Sequence, residues 1–371
     1  MDNIILYFLI AFTVNYVLLF IIFAVFFATR KIISTEKQNI ISSQYFVSVI
    51  IAVRNEEKNI ETLIQSLKNQ KGINNYEVLL IDDHSEDRTI DIARRSIDDK
   101  FRVLQLPKER MGKKEALKFG FFNSNGEIIA FTDADCIVPE YWLYTLLNQL
   151  QNTNSQMVCG PVEFYGNKNL FAEIINLEFL SLTGIGAASF FVNKPFMCNG
   201  ANYAVYKSIY QDSMPFIKYE FTSGDDVFLL HKVKQNHKIT FCNSYEAIVK
   251  TKAPASLKEF FTQRLRWGSK IKGYRDFFAI YVSITGFIMS FAILFSIVMI
   301  FFTNNPDIYI WLIFLKLSTD FLFLLTVTDF YKQKKLLRVF ILLELLHPIY
   351  IISTALISIF YKPLWKGRKI N

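Results

Sequence analysis

The chain predicts an α/β domain with a doubly wound, mostly parallel sheet, set between one N-terminal and about three C-terminal membrane helices. Three observations lead there. Hydrophobic residues make up 52% of the 371 residues and charged residues 20%, against about 45–50% and about 25% in a soluble domain, and the excess is concentrated at the two ends. Between the ends, short β-branched runs alternate with segments of helical apolar spacing, the pattern of parallel strands joined by crossover helices. Polar clusters fall where those strands stop, and open α/β sheets bind ligands outside the carboxyl ends of their strands. A simple cytosolic globule, a disordered chain, collagen and a small disulfide scaffold are excluded.

The elements follow in order. Ile4–Ala28 carries no charge and is long enough, at about 1.5 Å per residue, to cross a hydrocarbon core of about 30 Å. Asp2 precedes it and Arg30-Lys31 follow it, the reverse of a secretory leader. The positive-inside rule then leaves the chain after Arg30 in the cytoplasm. FVSVIIAV (Phe46–Val53) suits a buried parallel strand. Asn55 can cap a helix whose apolar positions are Ile60, Leu63, Ile64 and Leu67. YEVLLIDD (Tyr76–Asp83) is a second strand, Arg88–Ser96 a second helix, FRVLQL (Phe101–Leu106) a third strand, Lys113–Phe122 a third helix and EIIAFTD (Glu127–Asp133) a fourth strand.

Leu170–Leu182 is aromatic-rich and weakly amphipathic, open to core packing or seating at a membrane interface. Phe260, Phe261, Leu265, Trp267 and Ile271 can lie among lipid headgroups, while Lys258, Arg264, Arg266, Lys270 and Lys272 meet anionic lipid. Ile280–Phe302, Ile308–Thr328 and Val339–Tyr361 are three further apolar runs. Asn304-Asn305-Pro306 turns between the first two, and Lys332, Lys334, Lys335 and Arg338 hold the next loop inside. The third run contains Glu344, His347 and Pro348, and a full crossing would carry Lys366, Arg368 and Lys369 outside, against the charge rule; its topology stays open. Lys316 and Asp320 can pair within the membrane, as a pathway or as a lock between helices. The boundaries read as anchor 1–29, cytoplasmic α/β domain 30–252, interface helix 253–279 and membrane region 280–371. The net charge of +8 lies at the membrane flanks, which favours lipid contact over nucleic acid. Four cysteines without a CxxC pattern read as reduced thiols.

Several residues carry chemistry. Asp133 and Asp135 follow a strand and point the same way, so they can hold a hard cation that keeps water and phosphate oxygens as its other ligands; the other reading is a solvated turn. Asp82 and Asp83 can accept from a ribose or a base, or cap the next helix. Lys113, at a helix start after Gly112, can meet a diphosphate, or be a surface lysine. Asp225 and Asp226 open an apolar helix, where they cap it, or one of them deprotonates an acceptor hydroxyl.

Taken as an ordered set, VSVIIAVRNEE, LLIDDHSEDRT, GKKEALKFG, FTDADC, CNGANYAVYK, SGDDVFLL and QRLRW resemble the family-2 glycosyltransferases, inverting enzymes of the GT-A fold. The likeness covers about Phe46 to Gly273. QxxRW near membrane crossings resembles the branch that holds hyaluronan, cellulose and poly-N-acetylglucosamine synthases and ceramide glucosyltransferases. The resemblance implies that Ala52, Glu56, Asp82 and Asp83 seat the uridine of a UDP-sugar and that Lys113 approaches its diphosphate. It implies that Asp133 and Asp135 hold Mg²⁺ or Mn²⁺. Asp226 matches the catalytic base, with Asp225 beside it. Gln263, Arg266 and Trp267 would bind diphosphate and frame the acceptor mouth, and Asn199, Gly200 and Asn202 would line the acceptor side. The acceptor implied is a lipid or a growing glycan. Single transfer and processive synthesis both remain open, as does a catalytically silent nucleotide-sugar-binding membrane protein.

Overall fold

A computed structural model describes residues 2–29, 45–166, 168–218, 221 and 223–361. The basic residues Arg30, Lys31, Lys366, Arg368 and Lys369, on which the topology expectations rested, lie outside the described residues. The elements run α1 (Asp2–Thr29), β1 (Val47–Val53), α2 (Ile60–Lys68), β2 (Tyr76–Asp82), α3 (Thr89–Ser96), β3 (Phe101–Gln105), α4 (Lys113–Phe122), β4 (Ile128–Phe131), β5 (Cys136–Ile137), α5 (Trp142–Thr153), β6 (Met157–Cys159), β7 (Val162–Tyr165), α6 (Leu170–Phe191), β8 (Tyr203–Tyr206), α7 (Lys207–Ser213), α8 (Asp225–Val233), β9 (Ile239–Phe241), β10 (Val249–Lys252), α9 (Leu257–Ser269), α10 (Phe277–Phe302), α11 (Asp307–Phe330) and α12 (Phe340–Phe360). They form two units. One holds all ten strands with α2–α5, α7 and α8; the other holds α1, α6 and α9–α12. Thus α6, inside the α/β boundaries expected from sequence, belongs with the apolar helices.

The α/β unit is built on a seven-stranded sheet in the order β3-β2-β1-β4-β8-β6-β9. The strands β3, β2, β1 and β4 are parallel to one another, as the alternation of elements predicts. The other half is mixed, because β8 pairs antiparallel with both β4 and β6. A second sheet, β5-β10-β7, is small. The continuous apolar runs of β1 and β2 are buried on both faces, and α2 buries Ile60, Leu63, Ile64 and Leu67 as their spacing predicts. The helix α4 presses on the sheet so closely that a Cβ on Gly120 would lie 2.5 Å from Ile50. Asn55 does not cap α2; that position is Asn59. Asn55 instead takes a left-handed φ of 51°, and its Oδ1 accepts from the Glu86 amide at 2.9 Å. The register Val53↔Asp82 and Ile50↔Phe131 brings the segments after β1, β2 and β4 to one edge of the sheet.

Among the described residues of the helical unit, five helices (α1, α6, α10, α11 and α12 with its preceding turn) are long and apolar enough to cross a membrane. The fifth is α6, expected only as a weakly amphipathic stretch. Tyr16 with Asp320, Phe20 with Phe323 and Phe27 with Phe330 align α1 parallel to α11. Phe23 with Phe278 and Asn15 with Tyr281 align α10 antiparallel to α1. The end of α6 meets Phe27 through Phe191, while its start meets Arg338, just past α11, through Glu173. Similarly, α12 begins beside α11, with Phe340 against Phe321. It ends with the Ile359 carbonyl accepting from Lys272, a few residues before α10 starts. The pair expected between Lys316 and Asp320 is formed at 2.9 Å. Two partners come from other helices: Glu344 binds Lys316, and the Tyr16 hydroxyl donates to Asp320 at 2.7 Å.

Candidate active site

The first wall of the site is the edge after β1 and β2. Ala52 lies half-buried on β1 beside Ile81. The Glu56 amide donates to Thr89 Oγ1 at 2.7 Å, and its carboxylate accepts from Asn59 at 2.6 Å. Buried Asp82 accepts from the Ser85 amide at 3.0 Å. Asp83 is fully buried, and its Oδ2 accepts from the Gly112 amide at 3.0 Å. Gly112 has φ 99°, a conformation that favours glycine, so Asp83 anchors the turn that delivers Lys113. Sequence reasoning missed Arg54. Its buried guanidinium donates to the Asp83 and His84 carbonyls, each at 2.6 Å, and so shapes the loop after β2.

The second wall gathers charge. Lys113 Nζ lies 2.6 Å from Asp133 Oδ1. Burial opposes the ammonium charge, but Asp133, Asp225 and Asp226 outweigh it and push the Lys113 pKa up. A Cβ on Gly200 would sit 3.4 Å from Asp226 Oδ2 and 3.5 Å from Lys113 Nζ. Lys113, Asp133, Gly200, Asp225 and Asp226 therefore share one locality, although they are spread over more than a hundred positions of sequence. Asp225 and Asp226 are buried in the first turn of α8, and Asp226 Oδ1 accepts from the Val227 amide at 2.8 Å. The helix dipole favours negative charge there, while the N-cap position itself is Gly224. Asp135 is half-buried. Its Oδ1 lies 3.8 Å from the Cys136 thiol, whose pKa is raised by burial and by Asp135 and Asp133.

The 199–202 turn divides in role. Asn199 Oδ1 accepts from the Ala201 amide at 3.0 Å. Asn202 departs from the expectation that it lines a pocket. It is fully buried; its Oδ1 accepts from Trp142 Nε1 at 2.9 Å, and its Nδ2 donates to the Pro161 and Ala247 carbonyls at 2.7 Å each. With its amide committed to the interior, Asn202 holds the turn that presents Gly200. All four cysteines are thiols; Cys198 is half-buried and the others are buried.

Gln263, Arg266 and Trp267 lie on α9, in the helical unit. The residue that fastens this helix is Arg264, which sequence reasoning gave only a lipid role. It is buried and bound to Glu178 of α6 through two nitrogens, one of them Nε at 3.0 Å. Its Nη1 donates to Gln263 Oε1 at 2.5 Å, and its guanidinium lies 4.4 Å from the Trp267 ring. Tyr350 also donates to Glu178, at 3.0 Å. The available signal was Glu178 itself, since a carboxylate inside an apolar helix calls for a partner.

No cluster of three or more His, Cys, Asp or Glu side chains is poised for a metal among the described residues. Asp133 and Asp135 nevertheless fit a hard divalent ion of the Mg²⁺ kind, which takes one or two carboxylates and completes its shell with water and phosphate oxygens.

Residues 48–208 match the family described as Glycosyl transferase family 2. The chain is 30% identical to glycosyltransferase AglE of Haloferax volcanii over 202 residues, covering 53% of this chain and 64% of AglE. It is 25% identical to a dolichyl N-acetyl-alpha-D-glucosaminyl phosphate 3-beta-D-2,3-diacetamido-2,3-dideoxy-beta-D-glucuronosyltransferase of Methanococcus voltae, covering 60% of this chain and 72% of that one. Its fold is like that of the mannosyltransferase PcManGT from Pyrobaculum calidifontis, solved with GDP-Man and Mn²⁺, at a TM-score of 0.59 and 16% identity over 97% of this chain and 99% of that one. Residues 48–208 of the α/β unit are thus similar to glycosyl transferase family 2, and the fold is GT-A-like.

Proposed function

We propose that the protein is an inverting membrane glycosyltransferase that moves a sugar from a UDP-sugar to a lipid-linked or growing glycan acceptor at the inner membrane face. The observation that carries this is the gathering of Lys113, Asp133, Gly200, Asp225 and Asp226 in an α/β unit whose residues 48–208 match glycosyl transferase family 2. The lipid-linked acceptor is supported by the dolichyl-phosphate acceptor in the name of the Methanococcus relative. Membrane residence is supported by the five apolar helices.

The proposed roles rest on the resemblance of the motifs and on charge. Ala52, Glu56, Asp82 and Asp83 seat the uridine. Lys113 meets the diphosphate at the start of α4, where the helix dipole also favours anions. Asp133 and Asp135 would hold Mg²⁺ or Mn²⁺, and a bound ion of that kind supplies Lewis-acid stabilisation to the leaving diphosphate. Gln263, Arg266 and Trp267 bind diphosphate and frame the acceptor, and Asn199 and Gly200 line the acceptor side. Asp226 takes the proton of the acceptor hydroxyl as that oxygen attacks the anomeric carbon. The bond from that carbon to the diphosphate oxygen breaks on the opposite face, UDP departs with the bonding pair, and the configuration inverts. Gly200 leaves space beside Asp226 Oδ2 that a side chain would fill.

The test is incubation of membranes holding the protein with labelled UDP-sugars, with and without EDTA. Label is expected in a lipid-extractable or polymeric product, of β linkage from an α-linked donor, only when divalent metal is present. Labelling from GDP-sugars alone would overturn the donor assignment, and undiminished labelling in EDTA would overturn the metal.

A further inference from the structure

We propose that Lys113 is an internal counter-cation: it takes the place of the divalent ion in the donor-free protein, so that metal and nucleotide diphosphate bind only together. This rests on the reading that Asp133 and Asp135 hold the metal of a UDP-sugar. One oxygen of the carboxylate pair that would hold the cation, Asp133 Oδ1, already carries the Lys113 ammonium at 2.6 Å. The ammonium is held there. Its side chain is largely buried, its backbone follows Gly112, whose amide is fastened to Asp83, and Asp225 and Asp226 add to its charge pairing.

A divalent ion arriving alone therefore meets a fixed positive charge at its own ligand. Displacing Lys113 without offering it another anion strands a buried ammonium, which is unfavourable. A diphosphate removes that obstacle. It brings negative oxygens to the start of α4, close enough for the same ammonium to turn from Asp133 towards phosphate, and so frees Asp133 Oδ1. Metal and nucleotide then favour each other, and linkage makes the effect equal in both directions. The free protein keeps its acidic side chains compensated without a loosely held metal, and the metal enters as part of the donor complex.

The experiment measures binding, not turnover, on the detergent-solubilised full chain. Mn²⁺ binding without nucleotide is followed by calorimetry, and UDP binding is followed with saturating Mn²⁺ and with EDTA. Nucleotide-free wild type is expected to bind Mn²⁺ weakly. Lys113→Met should bind Mn²⁺ alone at least about 10-fold more tightly, within the ~5- to 150-fold span of typical coupling, and its UDP affinity should depend less on metal. Lys113→Arg, which keeps the charge, should stay weak for Mn²⁺ alone. Asp133→Asn combined with Lys113→Met should lose the gain. Tight Mn²⁺ binding by nucleotide-free wild type overturns the proposal without any variant, as does a Lys113→Met protein no tighter than wild type. If UDP fails to bind wild type even with saturating Mn²⁺, the donor reading itself falls. If UDP with Mn²⁺ binds wild type and only the Lys113→Met gain is missing, the failure belongs to the counter-cation alone.

Discussion

At the residue scale, Asp226 and Asn202 show how two polar side chains of one region diverge. Asp226 lies beside Gly200 and Lys113, so Asp226→Asn should retain UDP binding and lose turnover by about 10²–10⁴-fold, the usual contribution of a positioned general base. Separate measurement of nucleotide affinity and product formation checks this, and near-normal turnover would move the base elsewhere. Asn202 acts through packing. A Cβ at Gly160 would lie 2.4 Å from Asn202 Nδ2, and Asn202→Ala would strand Trp142 Nε1 and two carbonyls. An unsatisfied buried polar group costs about 1–3 kcal/mol. Both Gly160→Ala and Asn202→Ala should therefore lower the thermal midpoint of the purified protein, with Asn202→Ala costing at least about 2 kcal/mol. The acidic residues proposed for the site stood out in sequence as candidates because each ends or follows a strand or opens a helix. The inward commitment of Asn202 was not, because its partners Trp142, Pro161 and Ala247 come from three separate segments.

At the scale of elements, the four strands β1–β4 and the helices α3 and α4 were readable within a residue or two, and α2 in its apolar face though not in its start, since each is a continuous apolar run or a periodic one. The mixed half of the sheet was not readable. Strands of three or four residues such as β6, β8 and β9 carry too little pattern, and only tertiary pairing decides that β8 runs against β4. The helix α9 was readable as amphipathic, yet its anchor was not, because Arg264 looks like any other basic residue of that face. The Arg264–Glu178 pair is buried on both sides. Removing one member of such a pair costs about 3–5 kcal/mol, whereas replacing both with matched neutral groups is often close to neutral. Arg264→Ala should therefore destabilise the helical unit strongly. Glu178→Gln combined with Arg264→Gln should recover most of the loss, as read by thermal unfolding in detergent. Equal losses in the single and the double variant would show that the pair does not hold α9.

At the scale of the whole molecule, composition announced apolar helices but not their course. Length and hydropathy alone qualify α6 and α12 as crossings. The contacts of α6 differ from those of α1, α10 and α11, because both its ends meet residues near the same end of that bundle. That pattern predicts for α6 a course along the membrane surface or back within it. With an impermeant maleimide on sealed vesicles, Tyr361→Cys and Lys332→Cys are expected to label from one side and Asn305→Cys from the other. Labelling of Tyr361→Cys together with Asn305→Cys would make α12 a true crossing.

The position of β8 in the sheet has a consequence for biogenesis. Among the described residues it alone joins β4 to β6, and the ribosome makes it after α6. Until β8 has emerged, the nascent sheet consists of the four strands β3, β2, β1 and β4 with a bare hydrogen-bonding rim on β4, the kind of surface that seeds self-association. Closure of the sheet thus waits on synthesis of the apolar helix that precedes β8 in sequence, and a nascent chain stalled before residue 203 would be a natural client for chaperones.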